Sequence, residues 1–282
     1  MIPGRKPNAL KTRPIGRRNG FLKRPPASIR TRGQPEISMI EETLQLEPEI
    51  RLHRFAGVVS NVYFVENRKT DSTLVIDCGM PSDAPMLMEV LVRMPRPEAV
   101  ICTHFHIDHI GAWRTLSKRW PNLDLFFSEA AKLYITGERR LPIPSPADVR
   151  NVLLPCMAAF GYRPKLKDIV LGRLYGTPFH AGFWRGPIRY LPENRPSIEA
   201  IDVLETPGHT PDSISIFHPK SGALICGDTF LWLNGALQEN PFVTDTAAQR
   251  QTITFLRQLG DEVVLCPGHG PTLPLSQAIV RT

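Results

Sequence analysis

The chain has no cysteine framework. Its five cysteines (Cys78, Cys102, Cys156, Cys226, Cys266) are odd in number, scattered and never spaced as CxxC, which excludes a disulfide scaffold and a cysteine zinc site. Four of them end apolar runs, where a free thiol behaves as a small hydrophobe, so a reducing, cytoplasmic location is expected. No apolar run reaches the length of a signal h-region or a membrane span, so no membrane span is expected and the chain reads as soluble. Internal repeats at solenoid periods are also missing. With 282 residues, 42% hydrophobic, 22% charged and 8% aromatic, a mostly disordered or membrane-embedded chain is excluded and a large core is affordable.

Acids are absent from the first 35 positions, which carry ten Lys and Arg between Arg5 and Arg32 and six prolines. Of 34 basic residues, 24 remain after Pro35 against all 27 acids, so the formal charge of +7 belongs to the leader and the body is acidic. Residues 1–35 are therefore expected to be a basic, disordered leader. A nucleic-acid arm lacks interleaved aromatics and is not favoured; an organelle transit peptide is the other alternative.

Residues 36–282 read as one packed domain. Strand-like runs fall at 52–59, 61–65, 73–76, 98–102, 123–127, 200–204, 213–217, 223–226 and 262–265, with helical patterns at 82–94, 111–120 and 246–259. Residues 131–200 differ. They combine a helical stretch at 146–160 with a Pro-, Gly- and aromatic-rich segment, and their eleven basic residues outnumber five acids. Placed between two groups of histidines, this segment is expected to be a lid, with Tyr134, Phe160, Tyr162, Tyr175, Phe179, Phe183, Trp184 and Tyr190 divided between its own core and a pocket, and with its charge able to attract an anionic group.

The chemistry is concentrated in Thr103-His104-Phe105-His106-Ile107-Asp108-His109. Positions 104, 106 and 108 alternate, so on extended backbone they share a side, while His109 can turn to a neighbouring position. Three imidazoles and a carboxylate in six residues would each need a polar partner in a core, and a metal satisfies them together. Nitrogen and oxygen donors suit zinc and also admit iron, manganese or cobalt. Three more fragments, each after an apolar run, supply His209 (Thr206 to Thr210), Asp228 (Gly227 to Thr229) and His269 (Pro267 to Gly270). The isolated His53, His180 and His218 read as surface or ordinary packing residues. Seven donors exceed the four of one zinc and suffice for two with a shared water.

In these residues the chain resembles the metallo-β-lactamase superfamily, the glyoxalase II-like hydrolases in particular. The HxHxDH motif stands at His104, His106, Asp108 and His109, followed in order by His209, Asp228 and His269, and Asp77 sits where that family carries a supporting strand-end Asp. The resemblance covers roughly 50–130 and 200–272. It implies an α/β (α+β) four-layer αββα sandwich, with a helical and aromatic insertion in this chain. One metal is implied on His104, His106 and His209, and a second on Asp108, His109 and His269, with Asp228 bridging. The expected activity is hydrolysis by a hydroxide bridging two divalent ions, zinc first with iron or manganese as alternatives, and with Asp108 as a catalytic proton carrier. A small-molecule carboxylic ester, thioester or lactone leads. Alternatives are a phosphodiesterase or nuclease, a β-lactamase-like amide hydrolase, a mononuclear iron persulfide dioxygenase, and a non-catalytic binding module. Phe105, Phe230 and Trp232 are expected as pocket walls. Oligomeric state is left open.

Overall fold

Apolar residues alternate between two buried faces along the central strands, and this sets the layering. Val62 and Phe64 face one core while Tyr63 and Val65 face another, and the same division separates Val75 from Leu74 and Ile76, and Phe127 from Phe126. A strand apolar on both faces must be covered on both. The computed structural model describes residues 39–139, 145–159, 166, 188–191 and 200–280. The leader lies outside the described residues, as do Phe160, Tyr162, Tyr175, Phe179, His180, Phe183 and Trp184 of the insertion.

The first sheet runs β1 (Ile40–Glu47), β2 (Ile50–Ala56), β3 (Asn61–Asn67), β4 (Ser72–Ile76), β5 (Arg96–Ile101), β6 (Asp124–Ser128), β7 (Ile188–Leu191) in spatial as in chain order. Its first four strands pair antiparallel and its last four parallel. The second sheet combines β8 (Asp202–Glu205), β9 (Ile214–His218), β10 (Ala223–Leu233), β11 (Ala236–Glu239), β12 (Val264–His269) and β13 (Leu273–Pro274), ordered β13-β12-β10-β9-β8 with β11 on β10. The α-helical elements among the described residues are α1 (Ala84–Leu91), α2 (Ile107–Ile110), α3 (Trp113–Arg119), α4 (Lys132–Ile135), α5 (Pro146–Asp148), α6 (Leu154–Ala159) and α7 (Thr246–Arg257).

Three cores separate four layers. Leu87, Val90 and Leu91 of α1 and Trp113 and Leu116 of α3 pack on the outer face of the first sheet. Leu52, Leu74, Ile101 and Phe126 meet Ile214, Ile216, Ile225 and Cys266 between the sheets. Ile253 and Leu256 of α7 cover Leu224, Cys226 and Leu265 on the far side. The fold is the expected αββα sandwich. The Asp245 side chain caps α7 by accepting from the Ala247 and Ala248 amides at 2.9 Å each, a contact of about 1 kcal/mol.

Two expectations are refined. Both ends of the 131–200 segment belong to the sandwich: Ala131, Tyr134 and Ile135 are buried in the outer core, and β7 extends the first sheet beside β6. Tyr134 is thus a core residue, and Tyr190 packs against the same core with the Lys132 ammonium 5.6 Å from its ring. In addition, the polar-interrupted β1, β11 and β13 have too little apolar alternation to be read as strands, and tertiary pairing creates them.

Candidate metal centre

The donors gather at one edge of the sandwich because the strands that precede them end there. Asp77 follows β4, residues 103–109 follow β5, and His209 lies in the turn after β8. His269 is the last residue of β12. Asp228 lies inside β10, where the pairing with β12 shifts register between Ile225 and Leu231, so it is presented by a strand irregularity and not by the expected turn. The extended alternation expected for 104, 106 and 108 also stops early. His106 adopts an extended φ of −112° and caps α2, with its carbonyl accepting the His109 and Ile110 amides at 3.0 Å each. Asp108 and His109 therefore come from a helical turn.

Two donor sets result. His104, His106, His209 and Asp228 each bring one donor atom within 4.8 Å of the others, and Asp108, His109 and His269 do likewise. Asp228 joins them through its two oxygens. Oδ2 lies 3.9 Å from His104 Nε2 and 3.6 Å from His209 Nε2, while Oδ1 lies 3.3 Å from both His109 Nε2 and His269 Nε2. Asp108 Oδ2 stands 3.4 Å from His269 Nε2 and 3.7 Å from His109 Nε2. Seven donors converge from segments as far apart as 104 and 269.

Whether these residues suit a metal is tested by their unsatisfied atoms. His109 Nε2 and Asp228 Oδ1 are buried and, although 3.3 Å apart, make no well-formed hydrogen bond, so with the imidazole neutral two lone pairs face each other and a cation would satisfy both. The opposite nitrogens are already committed. His109 Nδ1 donates to Asp77 Oδ2 at 2.7 Å, His209 Nδ1 to the Phe242 carbonyl at 2.7 Å and His269 Nδ1 to the Val59 carbonyl at 2.9 Å. His104 Nδ1 leans on Thr103 Oγ1 at 3.1 Å, and that hydroxyl donates to Asp77 Oδ2 at 2.9 Å. Fixing Nδ1–H in this way leaves Nε2 as a lone-pair donor aimed at the centre. The donor set fits divalent metal ions.

The electrostatics differ between the sets. Burial, with His109 and His106 crowded beside it, holds His104 well below the usual imidazole range; burial and His209 take His106 down to about 3, and burial also lowers His209. His109 and His269 go the other way. Burial opposes their charge, but Asp77, Asp228 and Asp108 overcome it for His109, and Asp228 and Asp108 raise His269 to about 10. Asp108 and Asp228 are held below the normal carboxylate range, because the neighbouring His109 and His269 outweigh the effect of burial.

Asp77 stands where the sequence places it, beneath the loop, with φ at 60°. Its Oδ1 also accepts the Thr103 amide at 2.7 Å. Phe105 and Phe230 do not line a pocket. Both are fully buried, Phe105 edge-on to Phe127 in the outer core and Phe230 in the core under α7, since their positions in the loop and strand point away from the donors. Trp232 is partly buried against that second core and closes over Gly270. His53 and His218 have structural partners, Glu66 and Thr43 for the first and Ser221 for the second.

Several supporting residues escaped the sequence reading. Asn240 donates to the Asp228 backbone carbonyl at 2.7 Å and accepts the Phe242 amide at 2.8 Å, tying Asp228 to the loop that holds His209. The Asp212 carboxylate accepts the Phe105 amide between His104 and His106 at 2.8 Å, and burial raises it to about 6. Gly208, with φ at 147°, lets the His209 turn pass against Gln249 of α7, where a Cβ would stand 2.2 Å from the Gln249 side chain.

The chain belongs to the metallo-beta-lactamase superfamily, whose family model matches residues 56–269. It is 27% identical over 239 residues to a probable metallo-hydrolase, YflN, of Bacillus subtilis, covering 78% of this chain and 83% of that one. A hydroxyacylglutathione hydrolase of Xanthomonas euvesicatoria is 28% identical over 202 residues, 71% of this chain and 57% of the relative. Among solved structures, the BLEG-1 B3 metallo-beta-lactamase superposes with a TM-score of 0.54 at 20% identity over 84% of this chain and 94% of the other. TTHA1623 in a di-iron-bound form gives 0.51 at 22% identity over 79% and 94%. These structures share the fold. The homologues named as hydrolases make this chain a metal-binding hydrolase of that superfamily, and no helix among the described residues is long and apolar enough to cross a membrane.

Proposed function

We propose that the protein is a dinuclear metallohydrolase acting on a small carboxylic ester, thioester or lactone, in the manner of glyoxalase II-like enzymes. The observation that carries this is Asp228, whose two oxygens face two separate donor sets. His104, His106 and His209 would hold one ion, Asp108, His109 and His269 the other, and Asp228 would join both; zinc suits the N/O set best, with iron or manganese as alternatives. Two such ions supply Lewis acidity and a water that is acidic near neutral pH.

The chain's own groups do the rest. Asp77 and the carbonyls of Phe242 and Val59 hold the imidazoles in one tautomer, so the donors need not reorganise during the reaction. Asp108 is read as the group that passes a proton between the centre and solvent, a role supported by its side chain being 20% exposed where that of Asp228 is 8%. Acyl chemistry is supported by the relatives named as hydroxyacylglutathione hydrolases. Residues 131–200 are read as a lid anchored at both ends on the first sheet, favouring an anionic substrate through their basic excess. The buried free thiols Cys78, Cys102, Cys226 and Cys266 suit the reducing cytoplasm.

Metal analysis combined with a substrate panel tests the proposal. About two zinc ions per chain and turnover of a thioester or lactone are expected. One iron with oxygen uptake would overturn hydrolysis, and turnover of only bis-nitrophenyl phosphate or a β-lactam would overturn the substrate class.

A further inference from the structure

Three consecutive residues grip the two outer members of the second donor set, which come from distant parts of the chain. The turn from β2 into β3 offers the Val59 carbonyl to His269 Nδ1 at 2.9 Å, and the Ser60 hydroxyl donates to the Asp108 carbonyl. Asn61 Nδ2 donates to the Pro267 carbonyl at 2.8 Å and to the Gly270 carbonyl at 2.7 Å. A side-chain amide has two N–H bonds, so this one group clamps the chain on both sides of Gly268-His269 while Val59 aims the ring.

The clamp is itself anchored. Asn61 Oδ1 accepts from Arg54 Nη1 at 3.0 Å, and the buried Arg54 guanidinium is held by Glu41 at 2.7 Å and Glu42 at 3.1 Å. Glu42 Oε2 also accepts the Thr272 hydroxyl at 2.7 Å, beyond the same turn, and Tyr63 donates its hydroxyl to the Pro267 carbonyl at 2.8 Å. The first donor set is supported elsewhere, by Thr103 and Phe242.

We infer that Asn61 is the positioning residue for the second metal position, setting the affinity of the Asp108, His109 and His269 set through the His269 turn without touching metal or substrate. This rests on the dinuclear reading above. Asn61 is 3% exposed, so its amide has no alternative partner in water, and its removal takes the side-chain donor from the Gly270 carbonyl, leaves the Pro267 carbonyl to Tyr63 alone and costs Arg54 one of its three partners.

The test is a stepwise zinc titration of the chelator-stripped full chain, with metal retained after gel filtration measured in parallel. Asn61→Asp keeps shape and the Arg54 partner but turns a carboxylate oxygen toward two carbonyls. The second equivalent is expected to bind roughly tenfold or more weakly and to be lost on the column, with the first within about threefold of wild type. Ser60→Ala removes one hydroxyl and is expected to weaken the same equivalent by a smaller factor; it decides the matter if Asn61→Asp does not fold. An unchanged second step in the folded variant, or parallel loss of both equivalents, overturns the inference alone. Wild-type protein that takes only one equivalent overturns the dinuclear reading and the inference with it.

Discussion

Asp77 Oδ2 lies 2.7 Å from His109 Nδ1, and the same carboxylate accepts the amide and hydroxyl of Thr103, on which His104 leans. One buried acid thus supports a donor from each set, though it contributes to neither. The left-handed backbone at Asp77, with φ at 60°, turns its side chain under the loop, a conformation that Asp tolerates better than most residues.

Asp77→Asn should therefore weaken both metal positions, by about 10–100-fold in zinc affinity. Breaking the buried His109 pair should also lower the stability of the metal-free chain by roughly 3–5 kcal/mol. Competition with a chromophoric chelator and urea unfolding would measure the two effects. Wild-type zinc affinity would remove Asp77 from the supporting role.

Protons should leave with the second ion and not with the first. His104, His106 and His209 are held low and are neutral at pH 8 without metal, whereas His269 titrates near 10 and His109 is also raised. Zinc can bind the raised pair only after their protons are lost. Calorimetry at pH 8 in buffers of different ionisation enthalpy should show proton release in one step of two. For the metal-free chain, a raised histidine gives stability that is complete below the unfolded value of 6.5 and lost as pH rises through about 10. Its melting temperature should therefore fall between pH 7 and 10.

Gly268→Ala should damage the centre while leaving the sandwich intact. A Cβ there would stand 2.3 Å from Asp228 Oδ1 and 2.9 Å from His109 Cε1, closer than atoms pack. Zinc content should drop and activity should fall by at least about tenfold, with circular dichroism unchanged. Full metal loading in the variant would contradict the geometry.

Phe230→Leu should act on stability and not on substrate binding, since Phe230 packs under α7 among Leu224, Ile253 and Leu256. A loss of about 1–2 kcal/mol is expected from replacing a close-packed ring with a smaller side chain, with KM for any accepted ester unchanged. A large KM change with unaltered stability would return this ring to the pocket wall.

Much of the centre was legible because metal donors are polar residues set beside apolar strands. His104, His106, Asp108, His109, His209, Asp228 and His269 stand out in the sequence for that reason, and the structure gathers all seven. Phe105 and Phe230 misled because closeness to a ligand in sequence says nothing about direction: Phe105 faces the core between two histidines that face the donors, and Phe230 enters the other core two residues beyond Asp228, where β10 is irregular. Asn61, Asn240 and Asp212 were hidden because they act through backbone atoms of segments remote in sequence, and a lone buried amide or acid has no pattern of its own.

The absence of paired cysteines and of acids in the leader, the alternation of the strands and the spacing of seven donors were decided by the sequence alone, since each is a local property of residue type and order. Only the tertiary structure decided how the two donor sets are built. Strand ends from two sheets meet at one edge, the irregular β10 turns Asp228 so that each oxygen serves a different set, and the β2 to β3 turn joins Asp108 to His269 across the chain. Those relationships depend on long-range packing, which fixes direction and distance where sequence fixes only order.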